Sequence, residues 1–133
     1  MPQRRSTNQA SKSFNWLRRE KRLAIYLRDG LACIYCGSSD RLTLDHLTPL
    51  SRRGTNHPDN LVSACGPCNT RKAQKPWYDF VTDEAAIRLI TSLRKPLDLS
   101  YARLILAAAK DFPSALRLAQ GIQSAQTNKS DPN

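Results

Sequence analysis

The sequence has no apolar run near the roughly 20 residues that a membrane span needs, so no membrane partner is expected. It shows no internal repeat. From Met1 to Ser13 it lacks the apolar centre of a secretory signal peptide, and residues 1–13 read instead as a flexible basic arm. With no export signal the expected location is cytoplasmic, where thiols stay reduced and disulfides are rare. Acidic residues are also scarce. Eleven Asp and Glu stand against 21 Lys and Arg, a formal net charge of +10. The excess is uneven: residues 1–30 hold eight Lys/Arg against Glu20 and Asp29, giving +6, and residues 31–80 and 81–133 give +2 each. Such a surface favours a polyanion through counterion release, and nucleic acid is the commonest polyanion in a cell.

At 133 residues the chain fits one folded domain, expected over 14–122. A domain of this size buries a modest share of its surface and often needs a metal or disulfide as a staple. Asn15 to Asp29 reads as a helix, with Trp16, Leu17, Leu23, Ala24 and Leu27 apolar and several arginines turned to solvent or DNA backbone. Ser13 is its expected N-cap and Gly30 its C′ residue. Leu42–Asp45 and Leu61–Ala64 read as short strands separated by a loop over 48–59, which contains Pro49, Gly54 and Pro58. Gly66 to about Lys75 reads as a short helix with Pro67 in its first turn. Helical patterns follow over 83–95, 100–110 and 113–119. They make a helical part over 83–121 whose default role is to cover the core. Residues 123–133 are polar and read as a disordered tail.

The four cysteines fall in two pairs, Cys33-x-x-Cys36 and Cys65-x-x-Cys68. Two residues between thiolates let a tight turn present both sulfurs to one ion, and two such turns complete a tetrahedral zinc shell. Two disulfides or a redox-active pair are the alternatives. Location weighs against the first and the lack of alternating strands and helices around either pair against the second. A shell of four thiolates leaves no open position, so this Zn²⁺ is expected to be structural. The 28 residues between the pairs exceed the roughly 15–20 usual in a zinc ribbon, leaving room for a second function.

That interval and its edges carry Asp45-His46, Gly54-Thr55-Asn56, Asn60-Leu61-Val62 and Asn69-Thr70-Arg71-Lys72. Phosphodiester hydrolysis needs a base for water, a hard cation on the phosphate, and a frame that aligns the attack. Imidazole exchanges protons near neutral pH, which suits His46 to the first task. Asp45 and Asn69 offer oxygen ligands of the kind Mg²⁺ prefers, and Arg71 and Lys72 could hold phosphate. Neighbouring strand residues face opposite ways, so Asp45 and His46 meet one phosphate only where the strand ends or twists. His57 lies in a polar loop and reads as solvated, and Tyr35 reads as packing.

In order and placement, these residues together with Cys33-Ile34-Tyr35-Cys36-Gly37, Leu44-Asp45-His46, Ser51-Arg52-Arg53-Gly54-Thr55 and Cys65-Gly66-Pro67-Cys68 resemble the HNH endonuclease family in its four-cysteine zinc form. The likeness spans a core of about 30–76, over a third of the chain. It implies an α+β architecture: a small ββα-metal core with a four-cysteine zinc site, flanked by an N-terminal helix and C-terminal helices. It further implies a metal-dependent DNA endonuclease in which His46 is the general base, Asp45 and Asn69 bind one catalytic ion, and Asn60 braces the loop and helps orient His46. Arg52, Arg53, Arg71 and Lys72 are the expected DNA contacts. Asn69 stands where the name-giving pattern has a second histidine, and an amide oxygen there favours Mg²⁺ or Mn²⁺ over softer ions. Rival readings are a non-catalytic, zinc-stabilised nucleic-acid-binding module and a zinc-dependent protein-interaction domain. The sequence does not choose between monomer and homodimer.

Overall fold

A computed structural model describes residues 19–92 and 94–130. The expected basic arm and the start of the first helix, with Ser13, Trp16 and Leu17, lie outside the described residues. The described residues divide into two compact units, one of residues 19–24 with 98–130 and the other within 25–97. Helix α1 covers residues 19–28.

The unit formed by 25–97 is built on an antiparallel pair, β1 (Leu42–His46) and β2 (Leu61–Cys65). Leu42 pairs with Cys65 and His46 with Leu61. Each strand runs one residue beyond its expected end, so His46 and Cys65 are both fixed by the ladder. Helix α2 (Gly66–Lys72) follows at once, with Pro67 in its first turn. It stops short of Lys75 because Ala73 turns to φ 53° and its N–H closes the helix on Asn69 O at 3.1 Å. Pro76 then presets a single turn, α3 (Trp77–Phe80), which the sequence pattern does not reveal. Helix α4 (Glu84–Thr91) is capped by Asp83, whose carboxylate accepts from Ala86 N at 3.1 Å.

Ile34, Leu47, Val62 and Ile90 form one apolar cluster, with Trp77 and Val81 against it. Cys33, Ala64, Cys65 and Cys68 form another, with Phe80 against it, and Tyr35 packs on both. Ile90 packs α4 into the cluster that contains Val62 of β2. Each such buried side chain contributes on the order of 1.5–3 kcal/mol. These are small clusters, and long-range polar contacts supplement them. Tyr26 donates from its hydroxyl to Leu42 O at 3.0 Å. Arg28 bonds Asp29 at 2.9 Å, Pro58 O at 2.9 Å and Leu61 O at 2.7 Å, while Asp29 accepts from Ser63 N at 2.8 Å. Arg28 is therefore a buried strut rather than the DNA-facing arginine its helix position implied. Its side chain is 3% exposed, and its guanidinium satisfies carbonyls that the hairpin leaves open.

In the other unit, α5 (Leu99–Ala108) and α6 (Phe112–Ser130) begin on aspartate caps. Asp98 accepts from Tyr101 N at 3.0 Å and Asp111 from Ser114 N at 2.8 Å. Ala102, Ile105, Ala115 and Ala119 are buried at helical spacing. The last helix is much longer than the expected 113–119. Residues 123–130, expected within a disordered tail, continue α6. Polar composition was the reason for that expectation, yet Gln, Ala and Ser extend a helix already nucleated, and no proline intervenes before Pro132. Among the described residues no helix is long and apolar enough to cross a membrane.

Candidate metal and catalytic site

The ligand atoms of Cys33, Cys36, Cys65 and Cys68 all lie within 4.8 Å of one another. The first knuckle is a tight turn in which Cys33 O accepts from Gly37 N at 2.8 Å and Cys33 N donates to Ser38 O at 2.7 Å. Gly37 closes it at φ 84°, a conformation costly for any residue with a Cβ. The second knuckle is the junction of β2 and α2. Cys36 Sγ and Cys65 Sγ are 3.6 Å apart. Thiolates at about 2.3 Å from one tetrahedral zinc stand about 3.8 Å from each other, whereas disulfide sulfurs stand about 2.05 Å apart. The donor set thus fits one shared zinc. Tyr35 N donates to Cys33 Sγ at 3.4 Å and Arg71 to Cys68 Sγ at 3.2 Å, contacts that favour thiolate. Burial pushes the Cys33 and Cys68 thiols up, while the Ser38 backbone amide holds exposed Cys36 below the ordinary thiol range.

Inside this clamp Asp45 is buried on β1. Its Oδ2 accepts from the Tyr35 hydroxyl at 2.5 Å and lies 3.2 Å from Lys72 Nζ. Burial, and then the negative charge of Asp45, push the Tyr35 phenol up, which keeps it a donor. Lys72 also donates to His46 O at 2.8 Å. Among the described residues nothing hydrogen-bonds the carboxylate's second oxygen, Oδ1, and it is not one of the buried unpartnered atoms.

Asn69 faces the same strand from α2. Its Nδ2 donates to Thr43 Oγ1 at 2.9 Å and Leu44 O at 3.2 Å. Those acceptors fix the amide orientation and leave Oδ1 as the outward donor atom. The His46 ring is held separately: Nε2 lies 2.7 Å from Asn56 Oδ1. Because an amide oxygen only accepts, the contact requires a proton on Nε2, and in the neutral ring Nδ1 is then the nitrogen with the lone pair. Among the described residues no hydrogen bond joins Asp45, His46 and Asn69 directly.

Asn60 bonds the loop before it. Its Oδ1 accepts from Thr48 N at 2.9 Å, and its Nδ2 donates to Thr48 O at 3.0 Å and Thr55 O at 2.8 Å. It ties Thr48 to Thr55 in the loop that also carries Asn56. Gly54 lets that loop close: a Cβ there would stand 1.8 Å from Thr48 O. Arg52, Arg53 and Arg71 are exposed. Lys72, expected to contact DNA, is fully buried, with its ammonium engaged by Asp45 and His46 O. The reason is its position four residues after Cys68, on the helix face that meets the sheet. His57 is exposed, and its Nδ1 accepts from Asp59 N at 3.1 Å to start a helical turn. The sequence pattern gives Asn56 no role and reads Tyr35 as packing, whereas Asn56 meets the His46 ring and Tyr35 meets Asp45.

A two-stranded antiparallel ribbon followed by one helix, tied by four cysteines, is the ββα fold of the HNH type. Residues 33–75 match the family model described as HNH endonuclease. That match covers about a third of the chain, and the family it describes is one of nucleases. No curated protein and no solved structure matches the chain.

Proposed function

We propose that the chain is a metal-dependent DNA endonuclease, with a structural Zn²⁺ on Cys33, Cys36, Cys65 and Cys68 and Mg²⁺ or Mn²⁺ at Asp45 and Asn69. The observation that carries this reading is the pair of pre-oriented oxygens on β1 and α2. Asp45 and Asn69 are each fixed through their other polar atom, with one oxygen left over, and the next residue along β1 is a histidine whose Nε2 meets the Asn56 amide oxygen. A zinc module that merely bound nucleic acid would have no use for that arrangement.

In this reading His46 Nδ1 takes the proton from the attacking water, while Asn56 holds the ring from the opposite nitrogen. A divalent ion at Asp45 and Asn69, when bound, supplies charge stabilisation at the scissile phosphate and the departing oxygen. Asn60 and Gly54 keep the loop in the shape that places Asn56. Exposed Arg52, Arg53 and Arg71 meet DNA backbone, so binding is strongly salt-dependent and reads little sequence. One such site meets one phosphate, so a single subunit nicks. The test is supercoiled plasmid incubated with purified protein in Mg²⁺, in Mn²⁺ and in EDTA. Nicked circles are expected with either ion and none with EDTA. DNA retained at low salt but left intact under every condition would return the protein to the non-catalytic binding class.

A further inference from the structure

Among the described residues the Tyr35 hydroxyl is the one side-chain contact that runs from a zinc knuckle to the candidate catalytic carboxylate. We propose that Tyr35 is a positioning residue: it couples the cysteine clamp to divalent-ion binding by fixing which oxygen of Asp45 is presented. This deepens the nuclease reading and rests on it.

Tyr35 lies between Cys33 and Cys36, so closing the knuckle fixes its backbone. Its ring is edge-on to Phe80, with centroids 5.3 Å apart, which fixes its plane. The hydroxyl then reaches Asp45 Oδ2 at 2.5 Å, sharing that oxygen with the Lys72 ammonium at 3.2 Å. Two donors converging on Oδ2 hold the carboxylate in one rotation and leave Oδ1 for a cation. Without the hydroxyl, Lys72 is the only group holding the carboxylate. It is 1% exposed and anchored at 2.8 Å to His46 O, so it cannot withdraw. The carboxylate is then free to turn both oxygens to that ammonium, which competes directly with a metal. Electron withdrawal by the phenol acts the other way, because a donor on Oδ2 weakens the carboxylate as a ligand. Orientation outweighs this weakening in the proposed role, and the sign of one measurement decides between them.

That measurement is Mn²⁺ affinity, followed by electron paramagnetic resonance on the full-length, zinc-loaded protein without DNA. Wild type is compared with Tyr35→Phe and Asp45→Asn, with zinc content and thermal midpoint recorded for each. Phenylalanine keeps the ring on Phe80, so zinc content and fold should survive. The expected result is Mn²⁺ affinity about tenfold weaker in Tyr35→Phe, in the range typical when a group that orients a metal ligand is lost. Nicking should then recover in the variant as Mn²⁺ is raised. Equal or tighter Mn²⁺ binding in Tyr35→Phe, with Asp45→Asn impaired, would overturn the positioning role and leave the nuclease reading standing. Unchanged Mn²⁺ binding in Asp45→Asn would overturn both. Loss of zinc from Tyr35→Phe would overturn it too, showing the residue to be part of the clamp alone.

Discussion

The module of residues 33–75 and the helices of residues 99–130 are stabilised in different ways. The helices begin on aspartate caps and bury Ala102, Ile105, Ala115 and Ala119 at regular spacing. The module has two five-residue strands and a seven-residue helix, none long enough to persist alone. It is held by the four sulfurs, by the Arg28–Asp29 pair, by Asn60 and by the Lys72–Asp45–Tyr35 cluster, contacts between residues far apart in sequence. Periodic burial supports a helix at any position along it. A polar network fixes particular atoms in particular places, as a catalytic site requires, at the cost of depending on every member.

The sharpest way to break this comparison is to remove the metal. Chelation of zinc, or Cys65→Ser, should erase the dispersed amide resonances of 33–75, because a structural zinc contributes on the order of 10 kcal/mol. Resonances of 99–130 should persist. Loss of both sets together would show that the two regions do not differ in the way described. Next in size is Gly54→Ala, where the added methyl meets Thr48 O at 1.8 Å. A cost of about 3 kcal/mol or more in urea unfolding is expected, confined to the transition of the module. Asn60→Ala removes three hydrogen bonds to Thr48 and Thr55 and should cost about 2 kcal/mol. It should also slow cleavage beyond what the lost stability explains, since the loop carrying Asn56 slackens. Asp98→Ala, which uncaps α5, is the smallest: about 1 kcal/mol, with cleavage unchanged.

The same contrast governs what could be read from the sequence. Both strands, the helix after Cys65 and α4 followed from periodicity and turn residues, and the cysteine spacing pointed to the clustered sulfurs. Side-chain direction was harder to read. Lys72 beside Arg71 looked like a phosphate contact, yet the two point to opposite environments, and the spacing of Lys72 from Cys68 was the signal that it turns inward. Arg28 was hidden for the same reason, its carbonyl partners lying 30 and 33 residues away. Tyr35 read as packing because its bond to Asp45 depends on the knuckle and β1 meeting in space. Asn56 stood in a quoted motif without a role, since nothing local shows that its amide reaches the His46 ring. The continuation of α6 through a polar stretch shows that composition alone is a weak guide once a helix has begun.

The central claim is that His46 activates water for phosphodiester cleavage, and one comparison tests it most directly. Wild type and His46→Ala, both zinc-loaded, are bound to supercoiled plasmid at equal occupancy and started together with Mg²⁺ in a single-turnover nicking reaction. The account predicts a rate loss of at least about 100-fold in the variant with DNA occupancy unchanged. Equal rates for the two proteins would contradict it.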